Sequence, residues 1–152
     1  MNILFKRRRS VRAYRPDPIE KEKIEEILAA AHSAPSAGNL KARKIIVVEE
    51  EGQKRKLAEA SFGQSFVAEA PLVLVFAALP EISAEKYGQR GKNLYALQDA
   101  TIAASFAWLQ AVDLELSACW VGAFDENEIR EILNLSEKEM PIAVLPIGYA
   151  KN

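Results

Sequence analysis

The chain has one cysteine and one histidine in 152 residues, and these two small numbers exclude most common catalytic and metal sites. Cys119 cannot form an intrachain disulfide, which is compatible with a reducing compartment. His32 and Cys119 together provide too few ligands for a zinc site. A Ser-His-Asp triad would depend on His32 alone, and no G-x-S-x-G motif supports one. Neither standard nucleotide-binding loop is present. Any enzyme activity is therefore expected to borrow its chemistry from a cofactor.

Long apolar runs and an excess of one charge are also missing. The apolar stretches are far shorter than the about 20 residues of a membrane-spanning helix. The few apolar residues before the first basic run are too short for a signal sequence. The chain has 20 Lys and Arg residues and 21 Asp and Glu residues, so its net charge produces no long-range electrostatic field that attracts nucleic acid. We expect a cytoplasmic protein that binds neither membrane nor nucleic acid.

Length and patterning predict one mixed α/β or α+β domain over residues 1–152, with four or five strands. The predicted helices cover residues 2–9, 17–32, 51–60, 93–115 and 125–133, and the predicted strands cover residues 44–49, 71–79, 115–122 and 140–149. Asp17, Pro18 and Glu20 form a strong helix start. The second strand is apolar throughout, which predicts cover on both faces. Alanines on one face of the longest helix, from Ala96 to Ala111, form a candidate dimer surface.

The segment RRRSVRAYRPDPIE, residues 7–20, concentrates positive charge in a balanced chain. Its clustered basic residues flank Ser10 and are Arg7, Arg8, Arg9 and Arg12. Nucleic-acid binding favours basic residues spread along a face with aromatic residues between them. Membrane binding favours an amphipathic basic helix, which Pro16 argues against. A phosphate group fits better, because guanidinium groups bind it bidentately and a serine hydroxyl adds a donor. A solvated basic turn remains the alternative.

Three segments occur in an order that is typical of one enzyme family. They are RRSVRAY at residues 8–14, SAPSAGN at residues 33–39, and LQDATIAASFAWLQA leading to ACWVG at residues 118–122. Together they resemble the FMN-dependent nitroreductase family, over nearly the whole chain. The resemblance implies an α+β fold with a central mixed sheet, flanking helices and one long central helix. It also implies a homodimer that holds FMN at the subunit interface.

The resemblance first implies that the arginine segment binds FMN. Arg8, Arg9, Ser10 and Arg12 would hold the FMN phosphate, the ribityl chain and the edge of the ring. The family often ends in a basic stretch that helps to bind the phosphate, and here Lys151 is the only candidate for that contact. We therefore expect the phosphate to depend mainly on the arginines.

The second segment and two glutamines have further implied roles. Pro35, Ser36 and Asn39 would reach the flavin from the other subunit. Gln98 would bond the pyrimidine edge of the ring or the ribityl chain, although it is also compatible with a surface position on the helix. Gln64 is a weaker candidate, in the loop before the second strand. The family usually continues its second segment with Gln-Pro-Trp, where this chain has Lys41-Ala42-Arg43, so we expect a different pocket wall.

The flavin ring itself would lie near residues 121–122. The resemblance implies that Val121 and Gly122 present backbone N–H groups near flavin N5 and O4. A glycine permits close approach to a flat ring, although Gly122 is also compatible with a simple turn at the strand end. Arg12 would stabilise negative charge on the reduced flavin.

The implied activity is transfer of a hydride from NADH or NADPH through FMN to a nitroaromatic, quinone or similar small acceptor. Catalysis would need no residue beyond those that position the flavin, namely Arg12, Val121 and Gly122. Reductive dehalogenation on the same fold and a non-catalytic flavin-binding module are the alternatives.

Overall fold

The computed structural model describes residues 1–151. Its helices are α1 (Ile3–Arg7), α2 (Lys21–Ser33), α3 (Glu51–Ala60), α4 (Phe66–Glu69), α5 (Pro80–Arg90), α6 (Ala96–Asp113) and α7 (Glu126–Leu133). A 3₁₀ turn covers Ala37–Asn39, and a π-helical turn, Gly91–Tyr95, joins α5 to α6. The strands are β1 (Arg43–Val48), β2 (Leu72–Ala78), β3 (Ser117–Ala118) and β4 (Met140–Gly148). None of the helices in this described part is long and apolar enough to cross a membrane.

The four strands form one sheet in the order β1-β2-β4-β3, and all three strand pairs are antiparallel. Within residues 1–151, the parallel component of the expected mixed sheet is one isolated bridge, between Ser10 and Ala118. Every residue of β2 is buried, which confirms the prediction that this strand is covered on both faces. The α+β class is likewise confirmed.

Two apolar layers cover the sheet. Val73 and Val75 of β2 face α3, α4 and α7, whereas Leu72, Leu74 and Phe76 face α2 and α6. This alternation along one strand follows from the two-residue period of side chains in a β-strand.

The alanines of α6 contradict the prediction that they form a dimer surface. Those of one face are completely buried inside the single chain, and they are Ala96, Ala100, Ala103, Ala104, Ala107 and Ala111. Most of them pack in the layer between α2 and the sheet, where small side chains let the backbones approach closely. Any dimer contact must therefore use other residues.

Several predicted elements differ from the structure. The predicted 115–122 strand is only β3, Ser117–Ala118, and α4 was not predicted. Asp17 does not cap a helix but pairs with Arg15 at 3.1 Å, and α2 begins only after Glu20. The predicted 93–115 helix begins instead at Ala96, after the π-helical turn. Helix α5 was not predicted, because most of its residues are exposed and Gly88 interrupts its helical geometry.

Candidate cofactor site

The arginine segment lies beside the third strand. Ser10 forms the parallel bridge with Ala118, and the Val11 N–H donates to the Ala118 carbonyl at 3.1 Å. On the other side, the Lys151 N–H donates to the Ala13 carbonyl at 2.9 Å. Tertiary structure thus brings together three parts of the predicted site: the arginine segment, the ACWVG segment and Lys151.

Tyr14 anchors the arginine segment through its hydroxyl. Its buried hydroxyl donates to the Val11 carbonyl at 2.6 Å and lies 3.2 Å from the Pro146 carbonyl oxygen. Burial raises the pKa of the Tyr14 phenol well above its ordinary value. The group therefore stays protonated and acts as a constant donor.

Replacing Tyr14 tests this anchor. Tyr14→Phe should lower the free energy of unfolding by about 1–3 kcal/mol, because it leaves a carbonyl without its buried donor. Denaturant unfolding measures the loss. Tyr149→Phe is the matched control. Its hydroxyl donates to Glu20 and accepts from Lys23, but both partners are open to water, so its loss should cost less. Equal stability of Tyr14→Phe and the parent would show that the hydroxyl does not hold the segment.

The arginines of the segment do not have equivalent surroundings. The Arg8 guanidinium lies 4.9 Å from the centroid of the Trp108 ring. Arg9 turns back and donates to the carbonyls of Lys6 and Arg8 at the end of α1. Arg12 is exposed and forms no ion pair within residues 1–151. Arg8 and Arg12 are therefore the cations available to an anion, whereas Arg9 is partly used by the chain.

The two backbone N–H groups expected near the flavin differ as well. The Val121 N–H donates to the Val144 carbonyl at 2.9 Å, so it is not available to a ligand and this part of the prediction is wrong. The Gly122 N–H has no acceptor within residues 1–151. A Cβ at Gly122 would meet only the Trp120 indole, at 3.4 Å. The packing of the chain therefore does not require this glycine.

Gln64 lies beside the same place. Its side-chain amide donates to the Ser61 carbonyl at 2.9 Å and to the Ala123 carbonyl at 3.3 Å. These bonds hold the loop before α4 against the residue that follows Gly122. The first half of the candidate site is thus built by Arg8, Ser10, Arg12, Gln64, Gly122 and Lys151.

The other predicted residues form a second half-site at the N-terminal end of α6. Pro35, Ser36 and Asn39 belong to the loop after α2, and Asp99, next to Gln98, fixes that loop. The Asp99 carboxylate accepts the N–H groups of Ala37 and Ala42 at 3.1 and 3.2 Å.

Arg43 is the second anchor of this loop, and sequence reasoning missed both anchors. The buried guanidinium donates from Nη2 to the carbonyls of Ala31, His32 and Ala34, at 3.3, 3.0 and 2.9 Å. Burial lowers the pKa of Arg43, and the Asp99 charge opposes that change. The signals were present in the sequence: a carboxylate in the first turn of the alanine-rich helix, and an arginine at the start of an apolar strand. Where the family usually has Gln-Pro-Trp, this chain has a buried cation that closes the end of α2.

The two half-sites lie far apart within one chain. Gln98 is near the start of α6 and Trp108, which contacts Arg8, is near its end. At 1.5 Å per residue the two positions are about 15 Å apart along the helix axis. One chain therefore presents two partial surfaces, one cationic and one a rigid polar loop.

Comparison with known proteins agrees with this architecture. The model of the Nitroreductase family matches residues 5–149. An FMN-dependent nitroreductase from Clostridium difficile R20291 superposes with a TM-score of 0.86 and 32% identity, covering 98% of this chain and 87% of that one. A protein of Thermus thermophilus named NADH dehydrogenase is 32% identical over 94% of this chain and 83% of its own length. An FMN reductase [NAD(P)H] of Bacillus subtilis is 30% identical over 93% of this chain and 62% of its own length. The chain therefore belongs to the nitroreductase family.

Proposed function

We propose that this protein is an NAD(P)H-dependent flavin oxidoreductase that binds FMN between the two subunits of a homodimer. The observation that carries the proposal is the backbone pairing of the arginine segment with Ala118, four residues before the unengaged N–H of Gly122, on one side and with Lys151 on the other. The FMN-dependent and NAD(P)H-using relatives support the choice of cofactor and donor. The acceptor is a nitroaromatic, a quinone or a similar small molecule.

The residues present fit FMN. Arg8 and Arg12 are cations without a carboxylate partner within residues 1–151, and Ser10 adds an exposed hydroxyl, so they suit the phosphate dianion. Gly122 has no side chain to hinder a flat ring and offers an N–H without an acceptor within residues 1–151, which would orient that ring. Bound FMN would supply hydride chemistry, which the side chains lack. Arg12 stabilises negative charge at the ring, and the backbone provides position.

In this proposal the loop half-site of one subunit completes the cationic half-site of the other, since the two half-sites of one chain lie about 15 Å apart along α6. Around α1 and α6, Ile3 is 64% exposed, Phe5 54% and Phe106 38%. Phe106 lines a groove together with the apolar residues Leu4, Ala30 and Leu109 and the polar residues Ser33, Gln110 and Asp113. Exposed apolar patches of this kind typically mark interaction sites. We assign this surface to the second subunit, in place of the buried alanine face.

Disrupting this apolar surface should produce monomers. Phe106→Asp places a charge in the proposed interface, so we expect 16.8 kDa particles where the parent gives twice that mass in light scattering. FMN binding should be lost together with the dimer, because each flavin needs the partner's loop. Val47→Asp, at another partly exposed apolar position, is the control and should remain dimeric. A monomeric Phe106→Asp that binds FMN as tightly as the parent would contradict an interface site.

Neither His32 nor Cys119 has a place in this mechanism. Cys119 is buried, and burial raises the pKa of its thiol, which keeps it protonated and unreactive. His32 is exposed at the end of α2. We expect folded, FMN-loaded His32→Ala and Cys119→Ser to keep kcat within about twofold of the parent, a difference below 0.5 kcal/mol. A large kcat loss in either variant, measured in steady state, would show that a protein acid or nucleophile takes part.

The absorption spectrum of the purified protein tests the proposal as a whole. FMN-loaded protein should show a flavin spectrum, and anaerobic addition of NADH or NADPH should bleach it. Adding a quinone should restore the colour. Protein that binds no FMN, or that binds FMN without being reduced by either dinucleotide, would overturn the proposed activity.

A further inference from the structure

A cluster of aromatic and basic residues lies outside both half-sites, on the segment that joins α5 to α6. Tyr87 and Tyr95 form an edge-to-face pair with ring centroids 5.1 Å apart and an interplanar angle of 84°. Lys86 Nζ lies 5.4 Å from the Tyr87 centroid, and the Arg90 guanidinium lies 5.5 Å from that of Tyr95. Arg90 Nε also donates to the Tyr95 hydroxyl at 3.0 Å. We call these four residues the basic-aromatic cluster.

The two cations of the cluster are free to bind an anion. Within residues 1–151, neither Lys86 nor Arg90 forms an ion pair, although both are exposed. Lys92 on the same segment is different, because it pairs with Glu81 at 2.7 Å. The one neighbouring carboxylate without such a pair is Glu85, so the cluster keeps a local positive charge.

The cluster packs directly against the loop half-site. A Cβ added at Gly38 would lie 2.6 Å from the Tyr87 hydroxyl and 3.1 Å from Lys86 Nζ. Gly38 also has a φ of +60°, so the loop requires glycine here for two reasons. Tyr95 precedes Gln98 by one helical turn, which places the cluster next to that predicted flavin contact as well.

The backbone geometry between α5 and α6 brings Tyr87 and Tyr95 together. Gly88 has non-helical angles, with φ 56° and ψ −139°, and a π-helical turn follows at Gly91–Tyr95. A Cβ at Gly91 would lie 2.5 Å from the Ser83 carbonyl oxygen, so only glycine permits this approach. π-helical turns are frequent at functional sites.

We propose that the basic-aromatic cluster binds the adenosine 2′-phosphate of NADPH, which makes NADPH the preferred electron donor. The inference rests on the proposed function, because a nicotinamide donor must reach the flavin that the adjacent loop contacts. An adenine ring can contact the exposed parts of Tyr87 and Tyr95, which are half-buried beside their cations. Lys86 and Arg90 supply the charge-assisted hydrogen bonds that a phosphate dianion attracts. NADH lacks this phosphate and gains nothing from the two cations.

Binding of adenosine phosphates to the FMN-loaded protein tests the cluster without turnover. Calorimetry should show 2′,5′-ADP binding at least about tenfold more tightly than 5′-AMP, which lacks the 2′-phosphate. Arg90→Ala and Lys86→Ala should each remove about tenfold or more of that affinity and leave 5′-AMP binding nearly unchanged. Lys92→Ala is the matched control and should behave as the parent, because Glu81 holds its charge. Equal affinities for the two nucleotides, or unchanged 2′,5′-ADP binding in both variants, would overturn the inference.

Flavin reduction separates this inference from the proposed function. In the parent, kcat/KM for NADPH should exceed that for NADH, and Arg90→Ala should lower only the NADPH value, by about tenfold. Reduction by both donors with equal loss in Arg90→Ala would contradict the cluster while preserving the oxidoreductase. Failure of both donors to reduce bound FMN would contradict the oxidoreductase, and the nucleotide affinities would still decide whether the cluster binds a 2′-phosphate.

Discussion

Arg12→Ala and Arg8→Ala are each expected to weaken FMN binding by about tenfold to a hundredfold. Each variant removes one charge-assisted contact to the phosphate or the ring edge, and such contacts contribute about 1.5–3 kcal/mol. Arg8→Ala also removes the guanidinium that stacks on Trp108 at 4.9 Å, so its loss includes a small packing contribution. Fluorescence titration of the apoprotein with FMN measures both dissociation constants.

Arg7→Ala is the control, because it belongs to the same basic run and its guanidinium lies 3.9 Å from the Glu115 carboxylate. Its FMN affinity should stay within about twofold of the parent. Arg9→Ala should have an intermediate effect, since its guanidinium is partly used by the carbonyls at the end of α1. If Arg8→Ala and Arg12→Ala bind FMN as tightly as Arg7→Ala, the phosphate lies elsewhere.

Asp99→Asn should destabilise the fold and weaken FMN binding together. The carboxylate accepts two backbone N–H groups, those of Ala37 and Ala42, and an amide turns one acceptor into a donor. The N–H left without an acceptor should cost about 1–3 kcal/mol in the free energy of unfolding. The loop that holds Ser36 and Asn39 then loses its preorganised conformation, which lowers affinity further.

Glu59→Gln on α3 provides the comparison, because this exposed carboxylate makes no hydrogen bond or ion pair within residues 1–151. Denaturant unfolding and FMN titration should both separate the two variants. A change in stability alone, with unaltered FMN affinity in Asp99→Asn, would mean that the loop does not contact the flavin.

The strongly patterned elements were predictable from the sequence. β2, α3, α7 and β4 have apolar periodicity or clear start signals, and their observed bounds agree closely with the predicted ones. The predicted boundaries are wrong where tertiary contacts compete with a local sequence signal. Asp17 has the sequence context of an N-cap, yet its carboxylate bonds Arg15 instead. The prediction missed α5, because its exposed face offers little periodicity.

The sequence by itself determined the chemistry that this protein lacks and the place where positive charge is concentrated. Composition and residue order show one histidine, one cysteine and a compact arginine segment. These features by themselves indicate an anionic cofactor. Only the tertiary structure decided which groups remain free to bind it. The Val121 N–H donates to the Val144 carbonyl, the Arg9 guanidinium donates to carbonyls at the end of α1, and the alanine face is buried in the core. These outcomes depend on hydrogen bonds and packing between segments distant in the chain, and local residue preferences do not encode which partner each group meets.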